Sequence, residues 1–189
     1  MSLTLLTGGN IVNVELVKVV TVESTPKTYY FKTSTKATFT PSVSAGVEKE
    51  QRIKNAIMGL IRTEDVAKGY DIDIEDQRLL MEIFAMIDGG ATTMGTGDNA
   101  NKWQTYTAPV AGNPVTRTKF ALTLYTSDRD SEGDVVDYYS WEFPGCKGSP
   151  VSGGAQDDDF QTITYNIKSR PATGTSPLTV TRLASLPNS

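Results

Sequence analysis

Histidine is absent from these 189 residues. With it go the commonest general base and the commonest metal ligand, so Ser-His-Asp, Cys-His and HExxH chemistries are excluded. A single cysteine, Cys146, leaves no partner for an intrachain disulfide and no thiolate set for zinc. That sparse use of cysteine, with no basic region ahead of the short apolar stretch at Met1–Gly9, reads as a chain made and folded in a cytoplasm without a signal peptide. No apolar run approaches the roughly 20 residues that a membrane-spanning helix needs. Positive charge is also short: Lys and Arg number 18 against 22 Asp and Glu, a net charge of −4. An acidic chain does not attract a phosphate backbone, which disfavours non-specific nucleic-acid binding. Hydrophobic residues make up 38 %, lean for a globular domain but too many for a disordered one. The length suits one core with elaborated loops, and residues 1–189 are read as one domain.

What is present is mostly strand, rich in Thr and Val. Ile11 to Glu23 alternates with β-branched residues. Thr28 to Pro41 reads as a long strand, with Phe31, Thr33, Thr35, Ala37 and Phe39 on one face and Lys32, Ser34, Lys36, Thr38 and Thr40 on the other. Ser42–Gly46 reads as a turn, after which Glu48 to Ile61 runs back with Glu48, Glu50, Arg52 and Lys54 on one side. Together these predict a long hairpin over about 28–61. Between Ile74 and Ile87, the spacing of Leu79, Leu80, Ile83, Phe84 and Ile87 predicts a helix over about 74–88. Asp73 is expected to cap it, Asp76 to sit near its positive end, and Gly89-Gly90 to stop it. Gly89 to Pro114 reads as a long loop with a short strand around Trp103–Thr107. A second hairpin is expected from Val115–Thr126 and Val135–Phe143, with Phe120, Leu122 and Leu124 on one face and Val135, Tyr139, Trp141 and Phe143 on its partner. Phe160–Lys168 and Leu178–Ala184 read as the last strands. Many strands and one helix predict a mainly β fold: a β-sandwich or partly open barrel with one flanking α-helix and a long protruding β-hairpin.

Candidate chemistry is thin. Asp128-Arg129-Asp130-Ser131-Glu132-Gly133-Asp134 resembles the first half of a calcium loop. Its twelfth position is Tyr139 where a bidentate Glu belongs, and strands flank it, so a solvated turn is favoured. Gly95-Thr96-Gly97-Asp98-Asn99-Ala100 matches a dinucleotide fingerprint, but a predicted helix and loop precede it where a strand is needed, and no helix pattern follows to hold a pyrophosphate. Asp157-Asp158-Asp159 and the group Asp71, Asp73, Glu75 and Asp76 offer paired carboxylates, better read as solvated turns and a helix start. Lys147 beside Cys146 could lower a thiol pKa, but no base accompanies it. No catalytic, cofactor-binding or metal residue is assigned, and the chain is not expected to be an enzyme.

The first hairpin points elsewhere. Arms of about 14 residues reach on the order of 45 Å. Near its turn both faces are polar or small, and a two-stranded ribbon without an apolar face is marginal in water. Its open edges invite pairing with other chains, and a ring of such ribbons closes into a barrel without edges. The expectation is a self-assembling tube subunit.

Three stretches carry a family likeness: Thr40-Pro41-Ser42-Val43-Ser44-Ala45-Gly46-Val47-Glu48; Gly69-Tyr70-Asp71-Ile72-Asp73 leading into Leu79–Gly90; and Phe143-Pro144-Gly145-Cys146-Lys147-Gly148 followed by Gln156–Phe160 and Arg170-Pro171 to Pro177-Leu178. In that order they resemble the tail tube proteins, or major tail proteins, of long-tailed bacteriophages. The resemblance implies a virion protein assembled in the host cytoplasm, stacking in hexameric rings around a tape-measure protein and meeting tail tip and terminator proteins. Genomic DNA would pass through the lumen without specific binding. It implies that the hairpin, through Tyr30, Lys32, Ser34, Lys36, Thr38, Glu48, Glu50, Arg52 and Lys54, joins neighbouring subunits or lines the lumen. Loops carrying Asp98, Asn99, Trp103, Asp157, Asp158 and Asp159 would meet adjacent rings. A conduit must not hold its cargo. Lys32, Lys36, Lys49, Arg52 and Lys54 run against a uniformly acidic wall, and Glu48 and Glu50 are expected to pair with them across strands or between subunits. The alternative is a surface-displayed β-sandwich binding module, an adhesin or carbohydrate binder using Trp103, Tyr106 or Trp141.

Overall fold

The computed structural model describes residues 10–100, 102–155 and 157–187; the N-terminal reading of Met1–Gly9 and the Gln156 of the third stretch lie outside them. In chain order the elements are β1 (Asn10–Thr21), β2 (Thr28–Phe31), β3 (Ser34–Ser44), β4 (Glu48–Ile53), β5 (Ala56–Arg62), β6 (Val66–Asp76), α1 (Met81–Asp88), β7 (Ala91–Met94), β8 (Trp103–Thr107), β9 (Phe120–Arg129), β10 (Val135–Gly148), β11 (Ser152–Gly154), β12 (Thr162–Ser169) and β13 (Thr179–Leu183). The main sheet has nine strands, all neighbours antiparallel, in the order β2-β1-β9-β10-β12-β6-β3, with β13 beside β10 and β11 beside β12. It rolls until β3 packs against β1. The result is the expected mainly β fold, a sandwich that is partly a barrel.

One strand serves both layers. The first part of β10 lies between β9 and β13, while its end, Cys146 to Gly148, pairs with β12. The crossing is a bulge between Phe143 and Cys146. Pro144 fits there because a bulge leaves a ladder position without need of an N–H. Gly145 is required: its φ is 63°, and a Cβ would come within 2.8 Å of the Arg170 carbonyl oxygen. Strands that change sheets by such bends make the corners of sandwiches.

The core follows the period-two pattern. Val17, Val19, Phe120, Leu122, Leu124 and Phe143 face Ile72, Ile74, Ile163, Tyr165 and Ile167, and α1 adds Ile83 and Ile87. The three predicted residues of β9, Phe120, Leu122 and Leu124, are all buried. On β10, Phe143 is buried but Val135 is exposed, since a bulge between Val135 and Asp137 turns it off that face.

Several expected boundaries are corrected. The helix starts at Met81, not near 74, because Ile72, Ile74 and Asp76 keep the strand period and finish β6. Asp73 therefore caps nothing; it lies on β6 opposite Thr38 and Asn166. Asp76 is fully buried, accepting from the Arg78 amide at 2.8 Å and the Thr33 hydroxyl at 2.9 Å. Gly89 does end α1, at φ 87°, its N–H donating to the Ala85 carbonyl. The 89–114 loop contains β7 paired with β8, the latter at the expected Trp103–Thr107. This ribbon is tied to the helix by Phe84 against Tyr106, centroids 4.9 Å apart, and by the Tyr106 hydroxyl donating to Asp88. Residues 115–119 are not strand.

Candidate functional site

The long hairpin exists, but its course differs from the expectation. Thr28–Pro41 is broken at Lys32-Thr33, and its first part, β2 with Tyr30, pairs with β1. β3 pairs with β6, not with Glu48–Ile61, and Ser42–Gly46 is not its turn. Glu48–Ile61 folds on itself as β4 and β5 around residues 54–55. The arm is thus one ribbon of two halves, β3–β6 at the root and β4–β5 at the tip. Pro41 and its serines look like a turn in sequence. They are tolerated in strand because β3 ends the sheet order, where a missing N–H faces no partner.

The root belongs to the body. β6 pairs with β12 on its far side, and Phe39 packs against Tyr70, Trp141 and Phe143 with centroids 6.1, 5.3 and 5.4 Å away. Outward, Lys36 reaches Glu75 at 2.8 Å, and that carboxylate raises the lysine pKa. Arg170 from the strand end beyond β12 holds Asp71 at 2.6 Å. Ser34, expected beside Lys36 and Thr38 on the outer face, is buried, because a bulge between Ser34 and Lys36 flips it inward.

Between root and tip the ladder stops at Ser44–Val66, and side chains join one main-chain bond, the Thr63 amide donating to the Val47 carbonyl at 3.0 Å. The Gly46 amide donates to Asp65 Oδ1 at 2.6 Å and the Val47 amide to Thr63 Oγ1 at 2.7 Å. A Cβ on Gly46 would lie 1.8 Å from the Thr63 carbonyl oxygen, so only glycine lets the two chains cross this closely.

The tip has no other partner: β4 and β5 pair only with each other among the described residues. Across the ladder Glu48 meets Arg62, Lys49 meets Ile61, Glu50 meets Leu60 and Gln51 meets Gly59. A bulge at Met58 then brings Arg52 opposite Ile57 and Ile53 opposite Ala56. Lys54 turns the corner at φ 54°, the left-handed region that favours glycine. Of the expected partners of Glu48 and Glu50, Arg52 holds Glu50 at 2.6 Å, along one strand and not across the ladder, and Glu48 is in no ion pair among the described residues. Ile53, Ile57, Met58, Leu60 and Ile61 are all 55 to 66 % exposed. These apolar residues were missed by reading the ribbon as polar near its turn, although the run Ala56–Ile61 was there to be read. Five large apolar side chains on an unpaired ribbon are unusual for a solvated surface.

The other predicted loop residues fall into two separate places. Asp98 and Asn99 sit in a short 3₁₀ turn and Trp103 begins β8, all on the β7–β8 ribbon. Asp157, Asp158 and Asp159 lie between β11 and β12. The candidate chemical motifs have structural tasks. Asp130 Oδ1 accepts from the amides of Glu132 and Asp134, both at 2.9 Å, so that carboxylate shapes the 130–134 turn. The Cys146 thiol is buried, donates to the Phe143 carbonyl at 3.2 Å, and is pushed up to about 12 by burial. Lys147 is exposed and the thiol is not.

No protein-family model matches this chain, and no curated protein does. Among solved structures it is similar to a chain of the cryo-EM structure of the anti-feeding prophage (AFP) baseplate, 6-fold symmetrised. That likeness has 10 % sequence identity and a TM-score of 0.42, and covers 96 % of this chain and 97 % of the other.

Proposed function

We propose that this chain is a structural subunit that assembles with copies of itself through its projecting ribbon, as the tail tube proteins it resembles in sequence would. The observation that carries the reading is the β4–β5 tip: among the described residues both edges are unpaired and both faces stand in solvent, with five large apolar side chains exposed. A lone ribbon of this kind gains its missing hydrogen bonds and apolar cover when equivalent ribbons lie beside it. A ring of them removes every open edge. On this reading the rings are hexameric and stack into a tube of a phage virion. The tube is built in the host cytoplasm around a tape-measure protein, is bounded by tail tip and terminator proteins, and passes DNA without binding it. The chain has no catalytic task. A surface binding module would leave the exposed apolar tip without a role.

The test is negative-stain microscopy and sedimentation of concentrated wild-type protein beside an Ile57→Glu/Leu60→Glu variant. Rings or tubes are expected from the wild type and monomers from the variant, with melting temperatures equal. A wild type that stays monomeric at every concentration and salt sinks the reading.

A further inference from the structure

The two ends of the arm carry different things. At the root end, Ser34 of β3 pairs with Asp76 of β6. Phe31, the last residue of β2, stands three residues before Ser34, and Leu79 three residues after Asp76 on the way into α1. Between these two chain ends opens a cleft of about 430 Å³, walled on a third side by β7 and β8. Tyr30, Phe31, Leu79, Met94 and Trp103 line it, and all of them but Phe31 are exposed. The lining holds no cation; Glu82 is its one charged side chain, exposed and in no ion pair among the described residues. All four residues of β2 face the cleft, and β2 ends the sheet order. A strand turns alternate side chains to opposite faces, so four in a row around one cleft mark the strand's free edge.

At the other end of the same ribbon is the corner between β4 and β5. Ile53, Ile57 and Met58 stand in solvent there. Lys54 is exposed at the turn and in no ion pair among the described residues. From Arg52 to Met58 there are two cations and no acid. Corner and cleft are thus both apolar and uncovered, and their charges are opposite.

Chain length decides whose corner fills whose cleft. From Asp76 back to Ala56 the strands run roughly 60 Å, and β12 fixes the root half in the sheet. A chain's corner therefore stands far from its own cleft, and another copy must supply it. A contact joining opposite ends of one element is heterologous, and repeated along that element it extends into a stack.

We infer that the Ile53–Met58 corner of one copy docks in the Tyr30–Trp103 cleft of a copy in the next ring, with Lys54 at Glu82 and the corner's main chain beside the free edge of β2. The inference rests on the self-assembly reading above and divides its contacts. The long edges of the ribbons pair within a ring, and the corners join one ring to the next. Main-chain groups and an aromatic wall hold the corner, and the charge pair sets its register.

The experiment mixes Lys54→Cys protein with Met94→Cys protein, lets them assemble and adds a bismaleimide; buried Cys146 is present in both. A cross-linked peptide joining positions 54 and 94 is expected by mass spectrometry, and in this mixture it can only form between molecules. Trp103→Ala should weaken tube formation roughly tenfold or more, leaving rings in negative-stain images. Glu82→Lys, on the exposed face of α1, should shorten the tubes, and Lys54→Glu added to it should restore them. If wild type assembles, the 54–94 peptide is missing and Trp103→Ala and Glu82→Lys give tubes of normal length, the docking is wrong and the ribbon reading stands. If wild type never associates, both readings fall.

Discussion

The two halves of the arm are continuous in chain and alike in pattern, yet their apolar residues meet opposite fates. At the root, Phe39 and Ala37 on β3 and Ile72 and Ile74 on β6 turn toward a second layer and are wholly or partly buried. At the tip, Ile53, Ile57, Leu60 and Ile61 have strand-forming side chains of equal size and nothing to turn toward. Alternation makes a strand in both places. Only a facing layer makes a core, and the tip has none among the described residues. The contrast separates two surroundings: the root's apolar side chains lie against a second layer, and the tip's stand in solvent.

Changes to the root and body should unfold the monomer; changes to the tip should not. The largest effect is expected for Phe143→Ala, which removes a fully buried ring from the cluster holding Phe39 and Tyr70. A loss of about 3–5 kcal/mol in urea unfolding is expected. A loss under about 1 kcal/mol would mean that the arm root does not depend on that cluster.

Alkaline pH should discriminate in the same direction. Burial lifts Cys146 from 9.0 and Tyr165 from 10.0 to about 12 each. The folded body keeps protons that the unfolded chain releases above those ordinary values, so stability is full below pH 9 and falls as pH rises toward 12. Thermal melts should be flat near neutrality and decline above about pH 9, following the thiol's ordinary pKa. Tyr165→Phe should flatten part of that decline without lowering the neutral melting temperature, since the hydroxyl is buried without a partner. A slope unchanged by Tyr165→Phe would remove the phenol from the account.

The smallest effect belongs to the tip. Lys54→Gly relieves a left-handed residue at the turn. It should raise ribbon stability by about 0.5–1 kcal/mol, seen as slower amide exchange in β4 and β5 with no change in global unfolding. Slower exchange throughout the body would contradict the separation of the halves.

What the sequence disclosed follows from which physical signal was local. The strand pattern, the buried face of β9, the stop at Gly89 and the short strand at Trp103 all rest on nearest-neighbour chemistry and are read directly. The turn of the arm was misplaced because Pro41 and the serines around it are turn-like in isolation, while their tolerance depends on β3 being the last strand of the sheet. The helix was drawn six or seven residues too early because Ile74 satisfies both periods, and only pairing with Tyr165 across the sheet chooses the strand. The inward flip of Ser34 depends on a bulge, and Ser34-Thr35-Lys36 holds no glycine or proline to mark it. The tip's apolar residues were legible, but their exposure was not: that needs the knowledge that no layer lies over them. The loop residues chosen for contact between copies are all exposed, yet the pattern could not reveal that Trp103 lines a cleft or that Phe160, one residue past the aspartates, is the most exposed large apolar side chain among the described residues.

The corner at Gly145 has a mechanical consequence. Because β10 is hydrogen-bonded first in one layer and then in the other, the two layers are joined by main chain as well as by packing. A tension that tries to slide one layer over the other is carried by covalent bonds through Phe143 to Cys146, where a sandwich of separate sheets would resist with side chains alone.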